Sequence, residues 1–404
     1  MIYFILGSHP ELSIAEIRAV LGESYHPVFV SDSVVVVEPF DWNLSELQDR
    51  LAGIVKIGRI AGELRSWNKT EAADLIASLA SGAAGKNKIS FGLSVYDLGD
   101  KKTTRFLERD LDQLGLEIKK RLKETGRAVR YVKGKEPRLS SAIVETNGLL
   151  ESGGEFVLLA TMNNILIGQT DAIQNFKAWS DRDYGRPARD AKSGMLPPKL
   201  ARMMINLGGI DPRGATLLDP FCGSGTVLME GALIGFETLI GSDISEKAIR
   251  DTKTNLEWIQ SHFSGVGSNG IEVPVKLFVS PAADLPSILP LSKGELEGVA
   301  GIDLLVTEVF LGKPRVKTLD QQETRRLESE LIPLFRDSFT ALAPLLKSTA
   351  RAVVAFPAYK TKSGDWHRLP LKSLLESLGY KVLDNHLYYR EDQLVARDIY
   401  ALTR

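Results

Sequence analysis

The chain has 404 residues, 44% hydrophobic and 25% charged, with a net charge of −1; this length suits two to four domains and excludes wholesale disorder, a collagen-like fibre or a disulfide scaffold. Its one cysteine, Cys222, leaves no internal disulfide, and its five histidines show no HxxxH or HxH spacing that would argue for a metal such as zinc. No run approaches the ~20 apolar residues that cross a bilayer, and the apolar start Met1–Gly7 lacks a basic leader before Glu11, so a soluble cytoplasmic protein is expected.

Ile2–Leu6 is rich in β-formers and predicts a strand. Pro10 and Glu11 open a helix carrying Leu12, Ala15, Ile17, Val20 and Leu21, and the four valines Val34–Val37 have the composition of a buried strand. Asn43–Gly53 reads as a second helix and Gly82–Lys88 as a loop or linker. A second unit begins near Ile89. Ile89–Val95 predicts a strand, and Leu107–Lys123 a helix on which Leu111, Leu114, Ile118 and Leu122 recur at helical spacing. Ala128–Val132 is a short strand, Ser140–Leu150 is helical, and Glu155–Thr161 and Ile165–Gly168 form a strand pair joined at Asn163-Asn164. Basic charge gathers here: residues 101–138 hold thirteen Lys or Arg against six Asp or Glu. Lys119, Lys120, Arg121, Lys123, Arg127, Arg130 and Lys133 are the candidate contacts to a phosphate backbone, with a merely solvated helix face as the competing reading.

Residues 173–195 form an irregular charged connector, after which Pro197-Pro198 opens a helix over Lys199–Leu207. From there strands Thr216–Asp219, Leu239–Asp243, Val275–Val279, Asp303–Val309 and Ala352–Pro357 alternate with helices Thr226–Gly235, Glu246–Gln260, Asp320–Leu346 and Trp366–Leu378. Such alternation predicts an α/β fold with an open, mostly parallel sheet covered on both faces. The last two strands, Lys381–Arg390 and Leu394–Thr403, have no helix between them and must pair antiparallel.

The densest motif is Leu217-Leu218-Asp219-Pro220-Phe221-Cys222-Gly223-Ser224-Gly225-Thr226, in which an apolar strand ends in an acid, turns through glycines and enters a helix. Ligands of open α/β sheets bind at such turns. A dinucleotide fingerprint would need a third glycine where Leu228 stands, and Asp219 would repel a pyrophosphate. The acid suits a ligand with an ammonium group, such as S-adenosylmethionine, and Asp243 at the end of the second strand is placed to accept two ribose hydroxyls.

The Asp219–Thr226 motif resembles the first motif of Rossmann-fold RNA methyltransferases often coupled to a THUMP RNA-binding domain. The similarity is greatest to the tRNA guanine-N2 methyltransferases that act on a D-stem guanosine. It extends to Arg182–Pro187 and Met195–Ala201, and the basic unit ending in Gly168-Gln169-Thr170 is similar to a THUMP domain. The resemblance implies an N-terminal α/β domain at 1–85, a THUMP-like domain at 86–172, a linker at 173–195 and a Rossmann-like methyltransferase domain at 196–404. It also implies S-adenosylmethionine as cofactor and tRNA as partner. Asp219, Phe221, Gly223 and Gly225 would line the methionine end and Asp243 would hold the ribose. Leu196, Pro197 and Lys199 match the segment that closes over the cofactor, and Cys222, Ser224, Ile244 and Ala282 count with the cofactor-lining positions. Cys222 reads as a small buried filler, since no base accompanies it. In the third-strand turn, Ser280–Pro286, Pro281 stands where the family has an adenine-binding acid, which leaves Asp284 as the substitute.

Amino-group methyltransferases commonly end the fourth strand in Asp/Asn-Pro-Pro-Tyr/Phe. Oxygen acceptors take the amine protons and aim its lone pair at the methyl group, while the aromatic ring stacks on the base. Here the stretch is Val306-Thr307-Glu308-Val309-Phe310-Leu311-Gly312: both prolines are gone, and Glu308 is one methylene longer than Asp. A misplacement of about 1 Å can cost on the order of a hundredfold in rate. Glu308 and Phe310 are therefore the catalytic candidates of a rebuilt pocket in a tRNA guanine-N2 methyltransferase. The alternatives are a non-catalytic tRNA-binding protein that kept the fold and, less favoured for want of a target-recognition domain, a DNA amino-methyltransferase.

Overall fold

The computed structural model describes residues 1–82, 88–189, 195–263, 273–289 and 301–404. The chain divides into two units, Met1–Ala178 and Trp179–Arg404.

In the first unit, strands β1 (Ile2–Leu6), β2 (Pro27–Val30), β3 (Val34–Val37), β4 (Ile54–Leu64), β5 (Lys88–Asp97), β6 (Ala128–Val132), β7 (Gly153–Ala160) and β8 (Ile165–Ile173) form one sheet in the order β2-β3-β1-β4-β8-β7-β5-β6. Helices α1 (Pro10–Leu21), α2 (Leu44–Arg50), α3 (Lys69–Ser81), α4 (Lys101–Glu124), α5 (Ser141–Thr146) and α6 (Leu149–Ser152) accompany it. Residues on either side of the expected boundary at 85 share this sheet through the antiparallel β4–β8 pair. Neither β4 nor α3 stands out in the sequence, because β4 is broken by Lys56, Gly58, Arg59 and Gly62. The structure shows why Lys56 sits inside a strand. It is fully buried, paired with Glu155, and donates to the Leu139 carbonyl at 2.6 Å. Glu155 also accepts from Ser94 Oγ at 2.6 Å and Thr170 Oγ1 at 2.8 Å. Paired and hydrogen-bonded in this way, the two charges can be held in the interior, where an unpaired charge would be strongly destabilising.

Helix α4 starts at Lys101, six positions before the apolar repeat, because Asp100 accepts the Lys102 and Thr103 amides as its N-cap. It buries Leu107, Leu111, Leu114, Ile118 and Leu122. The helix expected over Ser140–Leu150 is instead split into α5 and α6 at Asn147-Gly148, where Gly148 takes a φ of +57°.

The second unit carries β9 (Thr216–Asp219), β10 (Thr238–Asp243), β11 (Val275–Val279), β12 (Ile302–Glu308), β13 (Leu346–Lys360), β14 (Trp366–Arg368), β15 (Lys381–Tyr388) and β16 (Val395–Thr403). Seven of these form a sheet in the order β11-β10-β9-β12-β13-β16-β15, and β14 pairs with β13. Its helices are α7 (Phe176–Ser180) at the boundary, α8 (Pro198–Leu207), α9 (Thr226–Ile234), α10 (Glu246–His262), α11 (Leu285–Ile288), α12 (Gln321–Leu342) and α13 (Leu371–Ser377). Strands β11 through β13 of this order are mutually parallel, and β16 lies antiparallel between β13 and β15. Asp219, Asp243 and Glu308 therefore leave the sheet at one edge.

Two expected boundaries move. The crossover helix ends at Leu342 and the next strand already begins at Leu346. Trp366–Arg368 is not helical. A turn closed by the Thr361 amide on the Asp365 carbonyl, with Gly364 at φ +92°, folds it back on β13, and the helix begins only after Pro370. No described helix is long and apolar enough to cross a membrane.

Candidate active site

The loop from β9 to α9 is held from both sides, by α10 after it in the chain and by the connector before it. Gly223 and Gly225 adopt φ of +52° and +83°, a region costly for other residues. A Cβ on Gly225 would also lie 2.8 Å from Thr252 Cγ2. Thr252 Oγ1 donates to the Gly223 carbonyl at 2.8 Å, and Asn255 Nδ2 donates to the Ser224 carbonyl at 2.8 Å and to the Ala188 carbonyl at 2.9 Å. The connector closes the arrangement. Arg186 donates to Thr226 Oγ1 at 2.6 Å, while Arg182, 3.9 Å over the Trp179 ring, pairs with the buried Glu230 at 3.1 Å.

A cleft of about 310 Å³ opens at this edge, lined by Met195, Leu196, Asp219, Phe221, Cys222, Gly223, Ser224, Thr226, Val227, Asp243, Ser245, Lys247, Ala248, Asp251 and Glu308. Asp219 Oδ1 accepts from Thr307 Oγ1 at 2.6 Å and from the Phe221 amide at 3.2 Å. Burial pushes its carboxyl up to about 7 despite those bonds, and the charges of Asp243 and Glu308 add to the rise. Asp243 is fixed by two amides, Gly223 N–H on Oδ2 at 3.0 Å and Ser245 N–H on Oδ1 at 2.8 Å. A carboxylate has about four acceptor positions, so capacity remains for two hydroxyls. Glu308 Oε1 accepts from Arg397 Nε at 2.7 Å. Burial raises the Glu308 carboxyl, and Arg397 opposes that rise. Cys222 is buried, with its thiol pushed well up by burial and by neighbouring Asp219.

Most positions picked out in the sequence thus meet around one cleft. Gly225 sits behind it as the left-handed N-cap of α9, and Pro197 is the N-cap of α8 next to the cleft-lining Leu196. Ile244 is 75% exposed and Phe310 51% exposed; neither is among the lining residues. Ala282 is buried in the apolar core with Leu218, Ile240 and Leu285 and is not among the lining residues. Asp284 is exposed at the start of α11. Two contacts had no local signal at all. Thr307 looks like an ordinary strand residue, and Arg397 lies 89 positions from the acid it holds.

In the first unit, the basic residues split in two. Arg121 bonds Asp74 at 2.6 Å and also Glu117, Arg127 donates to the Ser81 carbonyl at 3.0 Å, and Lys133 pairs with Asp112 at 2.9 Å. Lys120, Lys123 and Arg130 are exposed, and Lys119 is half-buried.

Residues 186–264, which contain the glycine turn, Asp243 and all of α10, match a family model described as RMKL-like, methyltransferase domain. The second unit has a Rossmann-like α/β fold. Among relatives, the chain is 27% identical to a tRNA (guanine(10)-N2)-dimethyltransferase of Methanothermobacter thermautotrophicus over 64% of this chain and 68% of that protein. It is 36% identical to the enzyme of the same name from Pyrococcus abyssi, over 28% of this chain and only 35% of that one. Among solved structures, TrmN from Thermus thermophilus superposes with a TM-score of 0.53 at 16% identity, covering 100% of each chain, a likeness of fold.

Proposed function

We propose that this methyltransferase uses S-adenosylmethionine to methylate the exocyclic N2 of a guanosine in tRNA, in the cytoplasm. The observation that carries the reading is a paired acid, Glu308 held by Arg397, on the wall of the cleft that also presents Asp219 and Asp243. The donor set fits the cofactor. Asp219 is a carboxyl whose ionisation is disfavoured until a cation arrives, which suits an α-ammonium group. The spare acceptor positions of Asp243 suit a ribose diol. Bound there, S-adenosylmethionine would supply an electrophilic methyl group.

Glu308 then has two tasks. Its carboxylate accepts an N–H of the target amine, and its pairing with Arg397 aims it and opposes the protonation that burial favours. Phe310, exposed just past the strand end, offers a ring on which the base stacks. The names of the relatives support guanine N2 of tRNA as the acceptor, and we propose the exposed lysines of α4 as phosphate contacts in a THUMP-like segment at 86–172.

The reading is tested by incubating the protein with S-adenosylmethionine and tRNA and identifying the methylated nucleoside by mass spectrometry. N2-methylguanosine is expected. Glu308→Ala should lower turnover on the order of a hundredfold while tRNA and cofactor affinities hold, the pattern of an interaction made in the transition state. Wild-type protein that binds both ligands and transfers nothing would favour the non-catalytic reading, and a Glu308→Ala variant of normal rate would remove Glu308 from the mechanism.

A further inference from the structure

The carboxyl edge of the second sheet does not end at Glu308. Strand β13 runs parallel to β12, with Glu308 opposite Ala355, and continues five residues further to Lys360. Strand β15 points the same way as β13, since each is antiparallel to β16. The end of β13, the hairpin to β14 and the end of β15 therefore all project from the edge that carries the cleft, on the side of Glu308 away from the glycine turn.

Three features meet there. The Trp366 and Tyr389 rings pack at 5.1 Å between centroids, with Tyr389 42% exposed, and Lys360 Nζ lies 5.8 Å from the Trp366 centroid. The segment leaving β12, residues 310–318, reads Phe-Leu-Gly-Lys-Pro-Arg-Val-Lys-Thr, with three cations and no acid. Lys313 and Lys317 are exposed, and Val316 is 90% exposed. This segment is also pinned to the hairpin. Tyr359 Oη donates to the Leu311 carbonyl at 3.0 Å, and Leu319 bridges to Thr361.

We infer that this edge is a platform for single-stranded RNA, on which nucleotides flanking the target base stack against Trp366 and Tyr389 while Lys313, Lys317 and Lys360 contact their phosphates. The inference rests on the function proposed above and adds a second place, within the methyltransferase unit itself, where the substrate strand is held. Aromatic faces interleaved with lysines are the usual means of binding an unpaired strand without reading its sequence. A base reaching Glu308 has left its helix, so its neighbours are partly unstacked and need such a surface.

The test is fluorescence anisotropy of the full-length protein with a labelled twelve-nucleotide single-stranded RNA, over a range of salt. Trp366→Ala with Tyr389→Ala is expected to weaken binding roughly tenfold or more, by analogy with alanine substitution at stacking sites. Because that pair also packs the hairpin, a second variant keeps both rings and changes charge, at the exposed Lys313 and Lys317 and the half-buried Lys360. Lys313→Glu, Lys317→Glu and Lys360→Glu together should flatten the plot of log K against log salt by up to about 2. Cofactor affinity should stay that of the wild type in both, and the melting temperature that of the wild type in the charge variant. Unchanged RNA affinity in both variants overturns the platform. So does equal competition by polyglutamate, which would make the edge a general anion surface. If the protein methylates tRNA while these variants bind RNA normally, the platform alone is wrong. If they lose RNA binding although the wild type methylates nothing, the platform stands and the proposed reaction falls.

Discussion

The two halves of the cleft are built differently. On the cofactor half, bonds that shape the loop and the ribose acid join residues 20, 29 and 31 positions apart within one β-α-β-α stretch, and the connector adds bonds 40 and 67 positions long. On the target half, Thr307 reaches back 88 positions to Asp219, and Glu308 meets Arg397 across 89. The first half is the more local of the two. The second depends on the complete sheet, because Arg397 is delivered by β16, the last strand in the sequence, which lies antiparallel beside β13. A target site can thus be rebuilt around a new acid without disturbing the cofactor turn, which fits the loss of both prolines here beside an intact glycine loop.

The largest effect should come from breaking the long-range half. Arg397→Leu would leave Glu308 charged and buried without a partner, a change that costs about 3–5 kcal/mol in comparable pairs. Adding Glu308→Gln should recover most of that loss, since an amide needs no counter-charge. Urea unfolding of the two variants measures both numbers. A single variant within 1 kcal/mol of wild type would mean that Arg397 is replaceable by solvent and that the target half is looser than described.

This division also explains what was legible in the sequence. The Asp219–Thr226 loop, Asp243 and Leu196 could be placed because each belongs to a strand-turn-helix pattern whose geometry follows from its own residues. Glu308 could be found as the acid ending a strand, but its partner could not, since Arg397 is one cation among fifty. The burial of Ala282 is hidden for a related reason: a small residue after a turn carries no mark of which way it faces. In the first unit, β4 was hidden because its lysine is neutralised by Glu155, a hundred residues away in all but one. Pattern reading assumes that charge faces water. It fails where a distant partner makes burial affordable.

A second prediction sharpens the comparison through pH. The folded state holds the Asp219 proton up to about pH 7, whereas in the unfolded chain it leaves near 3.8. Between those values the folded state binds more protons, so this group's contribution is full below about 4 and is lost as pH climbs to 7. Over about three units at about 1.4 kcal/mol each, that is a few kcal/mol. Asp219→Asn should therefore flatten the fall in stability from pH 4 to 7, as read by thermal unfolding across buffers. A cationic cofactor favours the ionised acid, so its affinity should rise over the same range in the wild type and be nearly level in the variant. A wild-type affinity independent of pH would separate Asp219 from the ligand charge.

The smallest expected effect concerns Cys222, in the middle of the local half. Its thiol is buried, lies 3.8 Å from Thr252 Oγ1, and is held protonated by burial and the nearby acids. The thiolate is the reactive form of cysteine, so this one should be inert in the folded protein. Iodoacetamide at pH 8 should label it slowly until urea unfolds the chain. Cys222→Ala should cost about 1 kcal/mol, the scale of a small deletion in a packed site, with methyl transfer close to wild type. Rapid labelling of the folded protein, or a variant that binds cofactor but cannot transfer, would put chemistry at the turn itself. In that case the two halves would no longer divide into a cofactor mount and a reaction site.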